Sequence, residues 1–372
     1  MKKTTISLIN ADIGSFPGHS RIHPVLLETA YKILKTAEGQ DIIDSFVTHC
    51  GDNLELIMTH NKGVNNAKIH GLAWDVFKNC TDEARKKKLY GVDKHIKNFS
   101  STPDNIRGMG PGVAEMDFEE RKSDPVLCFM SDKTEPGACN YYLYKIFADP
   151  FNTSGLILDK KMRKGFTFEV LDVKENKTIE VATPEQSYRL LTLISAPSRY
   201  VVKSVFLPLD DEEKLIAASI SVPSLSHPQK MGATNRTRAE TKDEPVMIVR
   251  AQNSLPAVGE ILEPFANPII VAGWMRGSHY GPFMPVGLCD ANCTRFDGPP
   301  RVICMGFQVA ESKLIGPVDM FDDPAFDHVR QRCNELADIL RVHGPFIPHR
   351  RPFEDMNDDT AKEVWDELKI GK

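Results

Sequence analysis

Acidic side chains recur in this sequence where apolar runs end. Asp12 follows the first such run, and Asp52 sits in a Gly51-Asp52-Asn53 turn. Asp132 follows the run at 126–130, and Asp243-Glu244 stand just before Pro245 and another apolar stretch. Hard cations such as Mg²⁺ take oxygen ligands, and a bound cation neutralises the charge of a phosphorylated substrate. Carboxylates delivered from separate strand ends build such a centre. Each aspartate beside a glycine also reads as a turn residue, so the pattern speaks only jointly.

Three other residue types add to it. His19 follows Gly18 in a loop, where it suits metal or phosphate binding, or simply the surface. Arg276 and Arg295 stand near glycines, and an arginine beside close-approaching backbone suits a phosphate. Pairing with acids accounts for them equally well. Lys133 and Lys242 are flanked by acids. An amine that attacks a carbonyl needs a lowered pKa, from burial or from nearby cations. Lys242 closes a long polar segment that would bury it if folded over.

The elements that must hold these groups are legible in part. Residues 4–10 alternate as a strand, and a helix over 24–35 starts on Pro24 with Val25, Leu26, Ala30, Ile33 and Leu34 on one stripe. Strands at 42–49 and 54–60 flank the Gly51 turn and must therefore run antiparallel. A long helix spans 65–88, with Ile69, Ala73, Val76 and Phe77 inward. Further strands are expected at 113–119, 126–130, 166–173 and 246–250, a helix at 184–194, and a hairpin from 200–207 and 215–222. A helix over 324–342 is marked at its start by Asp323 and Pro324 and at its end by Gly344 and Pro345.

The segment 224–244 is polar and has no period, which suits a lid or binding loop. Residues 1–345 read as one catalytic α/β domain. Residues 346–372 read as a tail with a short helix that packs on the domain or on a neighbouring subunit.

Composition sets the class. The chain has 372 residues, a formal charge of −5, 41% hydrophobic and 26% charged residues. That is an ordinary globular balance, and it lacks the basic excess a nucleic-acid surface wants. The apolar stretch after Lys2 and Lys3 covers only 6–9, too short for the core of a signal peptide. No run reaches the roughly 20 apolar residues of a membrane span. The eight cysteines are scattered, and only Cys289 and Cys293 are close. They read as small buried hydrophobes in a reducing, cytoplasmic setting.

Many collinear segments share one resemblance. They include Ala11-Asp12-Ile13-Gly14-Ser15, Leu56-Ile57-Met58-Thr59-His60, residues 108–116, Asp132-Lys133-Thr134-Glu135 and Phe147-Ala148-Asp149-Pro150. Others are residues 245–250, Trp274-Met275-Arg276-Gly277-Ser278-His279, Arg295-Phe296-Asp297-Gly298 and Phe321-Asp322-Asp323-Pro324. Over nearly its whole length the chain resembles the archaeal-type bifunctional fructose-1,6-bisphosphate aldolase/phosphatases.

The resemblance implies a mixed α/β (α+β) fold of largely antiparallel sheets sandwiched by helices, assembled as an octamer. It implies condensation of two triose phosphates and removal of a phosphate from the bisphosphate, at one site holding several Mg²⁺ ions. Asp12, His19, Asp52, Asn53, Asp132, Asp243 and Glu244 fall on its metal positions, and Lys242 on its Schiff-base lysine. His19, Tyr90, Asp104, Asn105, Lys133, Gln252, Asn253, Arg276 and Asp297 fall on substrate positions.

Departures accompany the matches. Asn53 replaces an aspartate and withholds a charge. Lys94 or His95 stands at a metal-binding glutamine, and Glu244 at an aspartate. Ala239 and Asp358 replace the acid/base tyrosine and a phosphate-contacting tyrosine. These changes admit a weakened activity, a lyase for another phosphorylated ketose or keto acid, or a non-catalytic sugar-phosphate-binding paralogue.

Overall fold

The computed structural model describes residues 3–92, 103–107, 110–152, 160–209, 214–223, 244–274, 279–293, 298–344, 346–351 and 366–368. The first third builds a four-stranded sheet from β1 (Lys3–Asp12), β2 (Asp44–Cys50), β3 (Asn53–His60) and β4 (Gly112–Glu119). Its order is β2-β3-β1-β4 and every pair is antiparallel, which the short turn at Gly51 requires of β2 and β3. Two helices, α1 (Pro24–Ala37) and α2 (Ala67–Lys86), pack on one face. The His23 ring accepts from Val25 N to cap α1, and Asn66 accepts from Lys68 N to cap α2. Ile69, Ala73, Val76 and Phe77 of α2 turn inward as their spacing predicts, onto Ile9, Ala11, Leu54, Leu56 and Met58. Burial of this kind makes a Leu56→Ala change cost about 2–5 kcal/mol.

A second, ten-stranded sheet follows. It contains β5 (Pro125–Asp132), β6 (Thr167–Asp172), β7 (Lys177–Ala182), β8 (Tyr200–Pro208), β9 (Lys214–Ile220) and β10 (Val246–Arg250). Its other strands are β11 (Ile269–Trp274), β12 (His279–Pro285), β13 (Arg301–Ala310) and β14 (Lys313–Asp319). The order is β11-β12-β13-β5-β10-β9-β8-β6-β7, with β14 also on β13. Among the described strands of this sheet only β12 and β13 pair in parallel, at Met284 and Arg301.

Ile6, Leu8, Ile57, Ala114 and Met116 of the small sheet share a core with Val126, Cys128 and Met130 of β5. Alternation sends Phe129 the opposite way, where it stacks on Phe265 at 5.0 Å. Phe265 in turn stacks on Tyr142 of α3 (Asn140–Phe147) at 3.9 Å. Val329 and Cys333 of α6 (Asp327–His343) join the same core, as do Leu190 and Ile194 of α4 (Ser187–Ile194) and Ile261 of α5 (Val258–Leu262). The layers are thus helices, sheet, sheet, helices, which is the mixed fold expected. Asp323 accepts from Ala325 N at 2.8 Å, so the cap read from the sequence is present, although the first turn is a 3₁₀ turn.

Strands β7 and β11 to β14, and helices α3 and α5, lie outside the elements expected from the sequence. Residues 346–351 lie along β12, with His349 O accepting from Tyr280 N at 2.9 Å.

Candidate metal centre between the two sheets

Register decides which side chains meet. On the small sheet Asn10 lies opposite Glu55 and Asp12 opposite Asn53. Paired residues point to the same face, and Leu8 and Ile57 show that this face meets the large sheet. Across the gap, Asp132 ends β5, and Glu244 stands two residues before β10. The sheets close on each other at Gly51, whose φ is +56°. A Cβ there would fall 1.9 Å from Asp132 Oδ2, so a bare glycine lets the second sheet's carboxylate lie on the turn.

His19 completes a cluster. Its Nδ1 is 2.7 Å from Asp52 Oδ2 and 3.8 Å from Asp12 Oδ2. The ligand atoms of Asp12, His19 and Asp52 all lie within 4.8 Å of one another. The imidazole packs edge-on against Tyr90 at 4.7 Å. Gly91 leaves room for it, since a Cβ there would sit 2.6 Å from His19 Cε1.

Lys133 bridges the sheets from the other side. Its Nζ is 2.6 Å from Asp52 Oδ1 and 3.1 Å from Asp132 Oδ1. The buried Cys293 thiol donates to Asp132 Oδ2 at 2.7 Å. Burial pushes that thiol's pKa up, aided by Asp132, which keeps it a donor.

The electrostatics are unbalanced. Burial, with Asp52 nearby, pushes the Asp12 carboxyl up to about 7. Asp132 is pushed up to about 7 by burial, although Lys133 opposes this. Glu244 is raised well above the usual carboxylate range by burial and by Asp132. Burial also opposes ionisation of Asp52, but Lys133 and His19 outweigh it and hold that carboxyl below the usual range. One ammonium cannot neutralise three buried carboxyls and a half-buried fourth. An oxygen-rich set with one imidazole and excess negative charge fits a hard divalent cation.

The structure brings together Asp12, His19, Asp52, Asn53, Asp132, Lys133, Glu244 and Tyr90 of the residues singled out from the sequence. Asn53 is buried, and its amide donates to Ser131 O at 3.3 Å. Asp104 and Asn105 lie on an exposed segment held through Ile106 and Arg107. Gln252 and Asn253 follow the far end of β10, a strand length of about 17 Å from Glu244. The fold does not bring these two to the cluster within one chain. Lys242, Asp243, Arg276 and Asp297 fall outside the described residues, as do Lys94, His95, Ala239, Asp358 and the rest of the 224–243 segment.

Three groups escaped the sequence reading: Asn10, Glu55 and Cys293. The first two looked like ordinary strand residues, and nothing local marks a thiol that meets Asp132 from 161 positions away. A separate cavity of about 370 Å³ between Tyr141, Tyr144, Leu191, Ile194 and residues 269–272 contains none of the site residues.

A family model described as fructose-1,6-bisphosphatase matches this chain over residues 3–370. The chain belongs to this family. Its curated relatives carry a more specific name, fructose-1,6-bisphosphate aldolase/phosphatase. One from Moorella thermoacetica is 53% identical over 368 residues, covering 99% of this chain and 94% of the relative. One from Ignicoccus hospitalis is 51% identical, covering 99% and 92%. One from Thermococcus kodakarensis is 52% identical, covering 98% and 96%.

Proposed function

We propose that this chain is a Mg²⁺-dependent enzyme of fructose 1,6-bisphosphate, hydrolysing one phosphate and, through Lys242, joining two triose phosphates. The observation that carries the reading is the convergence of Asp12, His19 and Asp52 beside Lys133. Bound Mg²⁺ ions would offset phosphate charge and make water nucleophilic.

The chain's own residues do the rest. Asp12, His19, Asp52, Asp132 and Glu244 would hold the cations, with Asn53 offering a carbonyl oxygen and Asp243 a further carboxylate. The Lys133 ammonium, held beside Asp52 and Asp132, would bind a phosphate oxygen. His19 and Tyr90 form one wall of the site; Asp104, Asn105, Arg276 and Asp297 contribute substrate contacts.

In the aldol half, the Lys242 amine attacks the carbonyl of dihydroxyacetone phosphate and expels water. The resulting Schiff base acidifies the adjacent C–H, and the carbanion adds to the aldehyde of glyceraldehyde 3-phosphate. With Ala239 where the relatives' acid/base tyrosine is expected, this half is the weaker one.

We read residues 1–345 as one catalytic domain, 224–244 as its lid and 346–372 as a tail. A substrate role for Gln252 and Asn253 requires the site of a neighbouring copy, which favours a homo-oligomer; an octamer is our reading. Among the described residues no helix is long and apolar enough to cross a membrane, in keeping with a cytoplasmic enzyme.

Two incubations test the activities. Phosphate release from fructose 1,6-bisphosphate with Mg²⁺ supports the hydrolase half, and its absence at every Mg²⁺ concentration removes it. Borohydride trapping with dihydroxyacetone phosphate should label Lys242, and an unlabelled lysine removes the aldolase half. Tight binding without either turnover would leave a sugar-phosphate-binding paralogue.

A further inference from the structure

Glu55 is fully buried on β3, and neither half of the proposed chemistry uses it. Its register partner Asn10 donates through one nitrogen to Glu55 Oε1 at 3.3 Å and to Glu244 O at 3.2 Å. Glu55 therefore lies one amide group from the backbone of a proposed ligand. Asn10 is held in turn by Gly112 N, and a Cβ at Gly112 would sit 2.3 Å from Asn10 Oδ1. The other carboxyl oxygen, Oε2, has no hydrogen-bond partner among the described residues. Glu55 shares its face of β3 with Asn53, whose amide reaches Ser131 O across the gap.

A buried carboxyl oxygen left unpaired is costly unless something outside the polypeptide pairs with it. Here it stands two residues along the same strand face from Asn53, which is itself opposite Asp12. We propose that Glu55 is a ligand of a divalent cation held between the two sheets, reaching it from the small sheet beside the neutral Asn53. This rests on the cation-centre reading above and adds a residue to it.

The test uses the full chain stripped of metal and Mn²⁺ as the probe, counted by the free-ion resonance signal. Glu55→Gln keeps the shape and removes the charge. It is expected to weaken one Mn²⁺ site by about 10- to 100-fold, or to remove it. Without metal, its melting midpoint should be no lower than that of the wild type, since no pairing is lost. Adding Asn53→Asp to Glu55→Gln returns a carboxylate to the same strand face and should restore much of the lost affinity. A purely structural role for Glu55 would not produce that rescue.

Equal Mn²⁺ number and affinity in wild type and Glu55→Gln overturns this inference alone. No Mn²⁺ binding by the wild type overturns the cation centre and this inference together. Should Glu55→Gln not fold, Glu55→Asp, which shortens the reach, must show the same weakening, and unchanged binding there counts against the proposal.

Discussion

Lys133 Nζ lies 2.6 Å from Asp52 Oδ1, joining the end of the large sheet to the turn of the small one. The lysine is 11% exposed and the aspartate 2%, so water screens the pair little. Removing one partner of a buried pair costs about 3–5 kcal/mol, because the other charge is left alone. Lys133→Met should destabilise the metal-free protein by about that amount, read from urea unfolding. Added Mg²⁺ should recover more stability in the variant than in the wild type. Equal Mg²⁺ responses would mean that the ammonium and the cation act at separate places.

Gly51 is required twice over, by its φ of +56° and by the Asp132 carboxylate where a side chain would go. Gly51→Ala should cost at least about 1–2 kcal/mol from backbone strain alone. Its larger effect falls on Asp132, which must move. Mg²⁺ affinity by calorimetry should drop while the far core, around Tyr142 and Phe265, keeps its near-ultraviolet signal.

The network behind the cluster fixes a pH dependence. Burial lowers His60 to about 4, while Ser7 and Lys62 N engage its ring. A base with its folded pKa below the unfolded value stabilises the fold fully above about pH 6.5. That contribution is lost as pH falls from about 6.5 to about 4, and it amounts to about 3 kcal/mol. Glu115 is held at about 2, because hydrogen bonds from His70 and Asn65 N overcome the burial penalty. Its contribution is therefore lost lower, from about pH 4.5 to about 2. Asp12 and Asp132, pushed up to about 7, have the opposite sign, and the metal-free fold gains from them as pH drops below 7. The clean measurement is thus the stability difference between wild type and His60→Gln across pH 8 to 4. It should shrink on the acid side, and a constant difference would exclude the His60 account.

Glu115 also anchors the segment carrying Asp104 and Asn105. It accepts from Ser7, His70, Asn65 N and Arg107, while His70 Nδ1 accepts from Ile106 N at 3.2 Å. A hydrogen bond between charged partners contributes about 1.5–3 kcal/mol. Arg107→Met should then speed amide exchange at Ile106 by about tenfold or more, with α2 unchanged.

How much of this the sequence disclosed follows from what is local. Asp12 and Asp52 were legible because a strand end and a Gly-Asp turn are short-range signals. The end of α6 was legible from Gly344, and the 3₁₀ turn that leads into it from Asp323 and Pro324. The alternation of residues 4–10 was legible although β1 is buried on both faces beyond Lys3. β13 was not, since Val302 to Phe307 is a continuous buried run without a period. β11 and β12 are interrupted by Gly273, Gly281 and Pro282, residues that ordinarily end strands.

The site divides in the same way. Individual ligands carry sequence signals, but their convergence depends on the register of Asp12 with Asn53 and on two sheets meeting at Gly51. Glu55 and Cys293 become visible only through that packing.

The central claim is that the Asp12–His19–Asp52 cluster holds the cation on which phosphate release depends. Phosphate release from fructose 1,6-bisphosphate, measured against Mg²⁺ concentration for wild type and Asp52→Asn, tests it most directly. The account predicts saturable Mg²⁺ dependence in the wild type, abolished by chelation, and a fall of about 100-fold or more in Asp52→Asn at any Mg²⁺ level. Undiminished release under chelation, or wild-type Mg²⁺ dependence in Asp52→Asn, would contradict it.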